Sequence, residues 1–306
     1  MALLLRSSPL LFRHHPVLSI LGKGSCKCYL STEAQVLLEH VVHPEFPDRV
    51  IATVTLNRPK ANAMGSVMLE ELESCLEQLE QQQHEEKTGK HGKTRCVVVR
   101  SSFPKVFSAG ADLKERREMT MDQAESFVTR LRTTMQRVAA LPQPVIAAVE
   151  GVAVGGGLEL ALACDLRVAS ETAMFGMPET TLAIIPGAGG TQRLSRLIGV
   201  SRAKELIWTG RRFSGEEAYH LGVVDKVVKS GQALDAAMSL AWQIAANGPI
   251  AIQASKEAID QGLTVSTMEE ALEIERQCYG RTLPSKDRLE GLAAFAESRT
   301  PNYTGQ

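Results

Sequence analysis

Long hydrophobic runs, a dominant charge, paired cysteines and histidine clusters are all missing from this chain. Its 306 residues hold no apolar stretch near the ~18–20 residues of a membrane-spanning helix. Lysine and arginine balance aspartate and glutamate to a net charge of −1, so no global field marks a nucleic acid or membrane surface as partner. Six cysteines occur, but Cys26-Lys27-Cys28 has neither zinc nor redox spacing and no second pair follows. Cys75, Cys96 and Cys164 lie in apolar-periodic segments and read as small core residues of a reducing compartment. The seven histidines (His14, His15, His40, His43, His84, His91, His220) form no HExxH-type spacing, which argues against a metal site and against a Ser–His–Asp triad. No repeat at a solenoid period is present.

Acids are also missing from the first 32 residues. Met1 to Thr32 carry Arg6, Arg13, Lys23, Lys27 and several serines, and the first carboxylate is Glu33. That composition reads as an organelle transit peptide, mitochondrial (matrix) before plastid, against the alternative of a plain disordered tail. The C-terminal Tyr303-Thr304-Gly305-Gln306 has no SKL-type address.

What is present beyond the leader alternates between strand and helix signals. Arg49 to Asn57 reads as a strand stopped at Arg58-Pro59, and Ala63 to Gln83 as an amphipathic helix ending in a polar, basic loop. Cys96–Val99 and Val145–Val149 read as buried strands, each leading to a glycine-bearing turn and a helix start. Asp112 is placed as an N-cap, and Thr120 with Gln123 as a capping box for a helix to about Ala140. Ser214 with Glu217 reads as a further capping box, and Val223 to Val228 as a strand. From Ala233 the pattern is helical throughout, including a helix capped by Thr267 with Glu270. The result is an α/β layered domain with three expected parts: a leader over 1–32, a sheet-containing core over 33–232 and a helical region over 233–306.

The chemistry concentrates in 151–190. Gly155-Gly156-Gly157 precede an apolar helical run broken by one carboxylate, Glu159. Side-chain-free backbone at a helix N-terminus offers unpaired N–H donors to an oxyanion. Gly156 and Glu159 lie three positions apart on one helical face, so an anion-stabilising amide sits beside an acid. A second acid, Glu179, follows in Gly176-Met177-Pro178-Glu179. A helix-start acid and an ordinary turn acid are the competing readings of Glu159 and Glu179.

Six ordered segments together resemble the crotonase (enoyl-CoA hydratase/isomerase) superfamily. They are Arg58-Pro59 with Asn62-Ala63; Phe107-Ser108-Ala109-Gly110-Ala111-Asp112-Leu113-Lys114; Val154-Gly155-Gly156-Gly157-Leu158-Glu159-Leu160; Gly176-Met177-Pro178-Glu179; Pro186-Gly187-Ala188-Gly189-Gly190-Thr191-Gln192-Arg193-Leu194; and Lys286-Asp287-Arg288-Leu289-Glu290-Gly291 with Phe295. Within it the chain resembles mitochondrial hydratases similar to the AU-RNA-binding methylglutaconyl-CoA hydratase. The resemblance implies a crotonase-type spiral of ββα units with a helical C-terminal trimerisation region, assembling as a homotrimer or homohexamer. It implies an enoyl-CoA hydratase that adds water syn across a trans-2-enoyl-CoA in fatty-acid or branched-chain amino-acid breakdown. In that scheme the backbone N–H groups of Ala111 and Gly156 form the oxyanion hole, Glu159 activates water and Glu179 protonates C2. Ala109, Ala111, Asp112, Leu113, Lys114 and Gly156 fall where coenzyme A binds, with Lys114 either a phosphate partner or a solvated lysine. Coenzyme A enters as part of the substrate, with no separate cofactor. The alternatives are isomerisation or acyl-CoA decarboxylation on the same scaffold, and RNA binding by Lys87, Lys90, Lys93 and Arg95. Glu85 and Glu86 dilute that basic segment and no aromatic interleaves for base stacking, which favours a solvated loop.

Overall fold

A computed structural model describes residues 34–81 and 94–306. The leader, Cys26, Cys28 and the loop lysines Lys87, Lys90 and Lys93 lie outside the described residues. Two sheets organise the core. The larger contains β1 (Val36–Val42), β2 (Val50–Leu56), β3 (Thr94–Ser101), β5 (Val145–Val149), β7 (Leu166–Ser170) and β10 (Lys226–Val228), in the order β1-β2-β3-β5-β7-β10. Only β1 runs antiparallel to its neighbour; the other pairings are parallel. The smaller sheet has four short strands in the order β4 (Val106–Ser108), β6 (Val152–Val154), β8 (Met174–Gly176) and β9 (Arg212–Ser214).

β3, β5 and β7 are each followed by a short strand of the second sheet and then by helix. β3 and β4 lead to α2 (Leu113–Glu118) and α3 (Met121–Ala140), β5 and β6 to α4 (Gly156–Ala163), and β7 and β8 to a 3₁₀ turn over Pro178–Leu182. This is the spiral of ββα units. Its period-2 side chains fill two cores. Ala52, Val54, Val97, Val99, Val145 and Ala147 face the first core, with Phe107, Phe175 and α1 (Ser66–Gln81). Ile51, Cys96, Val98, Ile146 and Val168 face the second, which α8 (Ala233–Ala245) covers. Ala233, Ala237, Ala241 and Ala245 recur every fourth residue on α8, and their small side chains bring the helix close to the sheet.

Several sequence expectations shift in detail. The edge strand β1 is not announced by the sequence pattern, because Glu39, His40 and the exposed Val41 and Val42 interrupt its apolar face. The strand expected over Val223 to Val228 shrinks to Lys226–Val228, since Val223 and Val224 are core residues of the preceding turn. Ser214 caps α7 (Gly215–Leu221) as expected, but Glu217 pairs with Arg211 at 2.8 Å instead of closing a capping box. Both boxes at Thr120 and Thr267 are complete. Cys75, Cys96 and Cys164 are buried free thiols.

The C-terminal region adds α9 (Pro249–Gly262), α10 (Met268–Thr282) and α11 (Lys286–Ala296). Among the described residues, no helix is long and apolar enough to cross a membrane.

Candidate active site

The first turn of the site is set by Gly110. Its φ of +82° is a backbone state that side-chain-bearing residues resist, and a Cβ there would stand 2.8 Å from Gly156 N. Strand β4 and α2 are thereby bent so that Ala111 comes beside the start of α4. Ala111 forms a parallel bridge with Met64, in which Met64 N–H donates to Gly110 O (2.7 Å) and Asp112 N–H to Met64 O (3.0 Å). The bonds of that bridge involve the Gly110 and Met64 carbonyls and not the Ala111 N–H, and Ala111 lines the cavity.

Three side chains brace this turn. Asn62, fully buried at φ +46°, donates to Ser101 Oγ (2.7 Å) and Phe107 O (2.9 Å) and accepts from Arg58 N (2.8 Å). Ser108 Oγ donates to Asn62 O (2.7 Å) and accepts from Gly110 N (3.1 Å). Arg58 reaches Ala63 O and pairs with Asp112 at 2.5 Å, while Asp112 caps α2 through Lys114 N and Glu115 N. Burial opposes the Asp112 charge, but Arg58 and those two amides together hold its carboxyl below the usual range.

The second turn is set by Gly155 (φ +54°, ψ −127°), from which α4 starts at Gly156. Every residue of α4 is buried, so Glu159, 2% exposed, is a carboxylate inside an apolar helix and must be hydrogen-bonded. It accepts from Ala188 N and Gly190 N, both at 2.8 Å to Oε1, where the Pro186–Gly190 turn opens α5 (Gly190–Ile198). Burial pushes its pKa up; the two N–H groups, Arg193 and Arg132 act in the opposite direction. Arg193 is itself fastened behind the turn, donating to Ala188 O (3.1 Å).

Glu179 enters on the 3₁₀ turn after β8. Ala183, at φ +58°, ends that turn, and Ile184 N–H closes back on Glu179 O at 3.2 Å. Glu179 Oε2 is buried without a hydrogen-bond partner among the described residues. Burial raises its pKa to about 7, and the Glu159 charge adds to the rise.

Ala109, Ala111, Leu113, Gly156, Glu159 and Glu179 line one cavity of about 750 Å³. Asp112 and Lys114 do not line it: the Asp112 carboxylate is occupied with Arg58 and the α2 amides. Arg95 is buried instead of lying on a basic surface, and donates to Ala245 O (3.0 Å) and Tyr303 O (2.6 Å). Sequence reasoning missed the two amides that hold Glu159; Val128, Leu131 and Arg132 of α3 also line the cavity. No group of His, Cys, Asp and Glu among the described residues is arranged to hold a metal ion.

A buried carboxyl and a half-buried one with different hydrogen-bonding, in one cleft with the glycine-set turns at Ala111 and Gly156, make a site suited to acid–base chemistry. The fold and the sequence name its class: the chain belongs to the enoyl-CoA hydratase/isomerase family, whose profile matches residues 48–306. A probable mitochondrial enoyl-CoA hydratase 2 of Arabidopsis thaliana is 46% identical over 303 residues, 96% of this chain and 97% of that one. The human mitochondrial methylglutaconyl-CoA hydratase is 42% identical over 282 residues, 90% of this chain and 79% of that one. The crystal structure of an enoyl-CoA hydratase from Bacillus anthracis superposes with a TM-score of 0.80 at 47% identity, covering 89% of this chain and all of the other.

Proposed function

We propose that the protein hydrates trans-2-enoyl-CoA thioesters to 3-hydroxyacyl-CoA. The observation that carries this reading is the second carboxyl. Glu159 and Glu179 enter one cavity from separate elements, in different hydrogen-bonding environments, beside the Ala111 and Gly156 amides. The two N–H groups polarise the thioester carbonyl. Water, with Glu159 accepting its proton, attacks C3; the C2–C3 π electrons move toward the carbonyl, and Glu179 delivers a proton to C2. Each turnover adds one water, and the two carboxyls then return to their starting protonation states. A group titrating near 7 suits such proton delivery at neutral pH, and the two amides favour the charged form of Glu159.

Further parts of the reading rest on the resemblance and the relatives. Coenzyme A would lie along Ala109, Leu113 and the α2 start, and would enter as substrate, with no separate cofactor. Residues 1–32 would act as a mitochondrial leader, in keeping with the names of the plant and human relatives. The C-terminal helices would join subunits as a trimer or paired trimers.

The test is hydration of crotonyl-CoA, followed by loss of the enoyl-thioester absorbance. Glu159→Gln and Glu179→Gln are each expected to lower kcat by ~10²–10⁴. Undiminished turnover in either variant removes that residue from the mechanism. Conversion of a 3-enoyl-CoA with no water addition to crotonyl-CoA would replace the hydratase reading by isomerisation.

A further inference from the structure

We infer that Arg193 is a positioning residue for Glu159: its guanidinium fixes the Pro186–Gly190 turn whose two N–H groups hold the acid, and sets a positive charge behind that turn. The inference deepens the hydratase reading, on which it rests for the part Glu159 plays in turnover.

Glu159 Oε1 accepts from Ala188 N and Gly190 N, both at 2.8 Å. Those two N–H groups belong to the peptide planes on either side of the Ala188–Gly189 peptide. Arg193 Nη1 donates to the carbonyl of that middle plane, Ala188 O, at 3.1 Å. The Arg193 backbone N–H donates at 2.8 Å to Gly189 O, which shares a plane with the Gly190 N–H. A peptide is planar, so a carbonyl oxygen held in place sets the direction of the N–H across it. Missing side chains make room on both sides. A Cβ on Gly189, at φ +111°, would collide with Nη1, and one on Gly190 would stand 3.0 Å from Glu159 Oε1. Nη2 anchors the guanidinium in turn, donating to Met135 O (3.4 Å) and Gln136 Oε1 (3.2 Å) of α3.

Charge acts along the same line. Arg130 and Arg137 on α3 pair with Glu73 and Glu80, but no carboxylate among the described residues forms an ion pair with Arg193. The carboxylate that acts on it is Glu159. The other charged groups facing Glu159 are the exposed Arg132 of α3, which donates to Gly187 O at 3.0 Å, and Glu179 of the 3₁₀ turn. Cys164, at the end of α4, also acts on Arg193, but burial pushes its thiol up to about 12, so it is neutral at working pH. A buried carboxylate keeps its charge only where donors or a cation answer it. Arg193 supplies the cation and holds the donors.

Two readouts separate this role from a merely structural one. Hydration of crotonyl-CoA from pH 5 to 9 gives the acid limb of kcat/KM, which reports Glu159 as base in the free enzyme. Infrared difference spectra follow the Glu159 carboxyl itself, identified as the band lost in Glu159→Gln. Glu159 must be ionised to accept water's proton, so losing the cation raises the pH it needs. Arg193→Gln is therefore expected to move both the acid limb and the infrared titration upward by ~0.5–1.5 pH units, with the alkaline limb of Glu179 nearly in place. Its kcat should fall ~10-fold with KM within about threefold. Arg193→Lys keeps the charge without the fork: the titration should stay within about 0.3 units of wild type while kcat falls about threefold. An unmoved infrared titration in Arg193→Gln, or a wild-type kcat in Arg193→Lys, overturns the proposal; if Arg193→Gln does not fold, the Arg193→Lys outcome decides. A shifted infrared titration in a protein that hydrates no enoyl-CoA would count against the hydratase reading and leave the hold of Arg193 on Glu159 standing.

Discussion

Among the described residues Glu179 Oε2 meets no donor, and the carboxyl as a whole is pushed up to about 7, chiefly by burial. Two consequences follow at the scale of this residue. As the proton donor to C2, Glu179 must be protonated, so kcat/KM for hydration should fall about tenfold per unit as pH rises above ~7. A profile flat to pH 9 would remove it from that role. Stability is linked with a definite sign: a carboxyl whose folded pKa is raised favours folding below its unfolded pKa near 4.5, and that contribution is lost as pH rises through about 7. Relative to Glu179→Gln, the wild type should therefore lose stability between these limits and then level off. The shift caps the loss at about 3 kcal/mol, and solvent screening of a half-buried group reduces it to about 1–2 kcal/mol; urea melts of both proteins across pH 4–8 measure it. Much at this scale was readable from sequence, since glycines before a helix and an acid one turn in advertise themselves. Ala188 and Gly190 were not, because their bonds to Glu159 span 29 and 31 residues and depend on how the Pro186–Gly190 turn folds back. Arg95 misled because a cation beside a basic loop looks solvated until its strand is placed in the sheet interior.

At the scale of elements, the oxyanion turn is held from outside itself. Arg58 follows β2, Asp112 caps α2, and their pair at 2.5 Å fixes the Met64–Ala111 bridge from both ends. The pair is only partly exposed, so its loss is not that of a surface ion pair. Arg58→Met is expected to destabilise the fold by about 1–3 kcal/mol by leaving Asp112 uncompensated. It should also lower kcat and kcat/KM together by about tenfold, the signature of an interaction realised in the transition state. Arg58→Lys should recover stability better than rate; a change in KM alone would show that the pair serves binding only. The long elements were legible because central parallel strands and capped helices follow strong local rules. The three-residue strands β4, β6, β8 and β9 were not: segments that short have no measurable period, and they exist because the spiral brings them side by side.

At the scale of the whole molecule, the C-terminal helices hold onto the core by few contacts and expose much apolar surface. The tail is stapled: Arg95 donates to Tyr303 O, and Asp287 accepts from Thr304 N and Gly305 N at 2.7 and 2.9 Å. Lys256 on α9 pairs with Asp165 at 2.7 Å and donates to Gln143 O. Yet α9 buries only Ala254 and α10 only Cys278, while Leu263, Met268, Leu289 and Phe295 stand out, Phe295 at 87% exposure. Helices of 14 and 15 residues draw most of their stability from a packed face, and an exposed apolar patch of this kind is suited to being covered by another surface. A second and third copy fit that need, consistent with the proposed trimer. Phe295→Glu, with Leu289→Glu added, should move the sedimentation coefficient toward that of a 33.2 kDa monomer while leaving the far-UV circular dichroism unchanged. The Tm should then become independent of protein concentration, because subunit association no longer contributes to stability. A wild-type chain that already sediments as a monomer with a concentration-independent Tm would show that these side chains face solvent and that the C-terminal helices serve a different purpose.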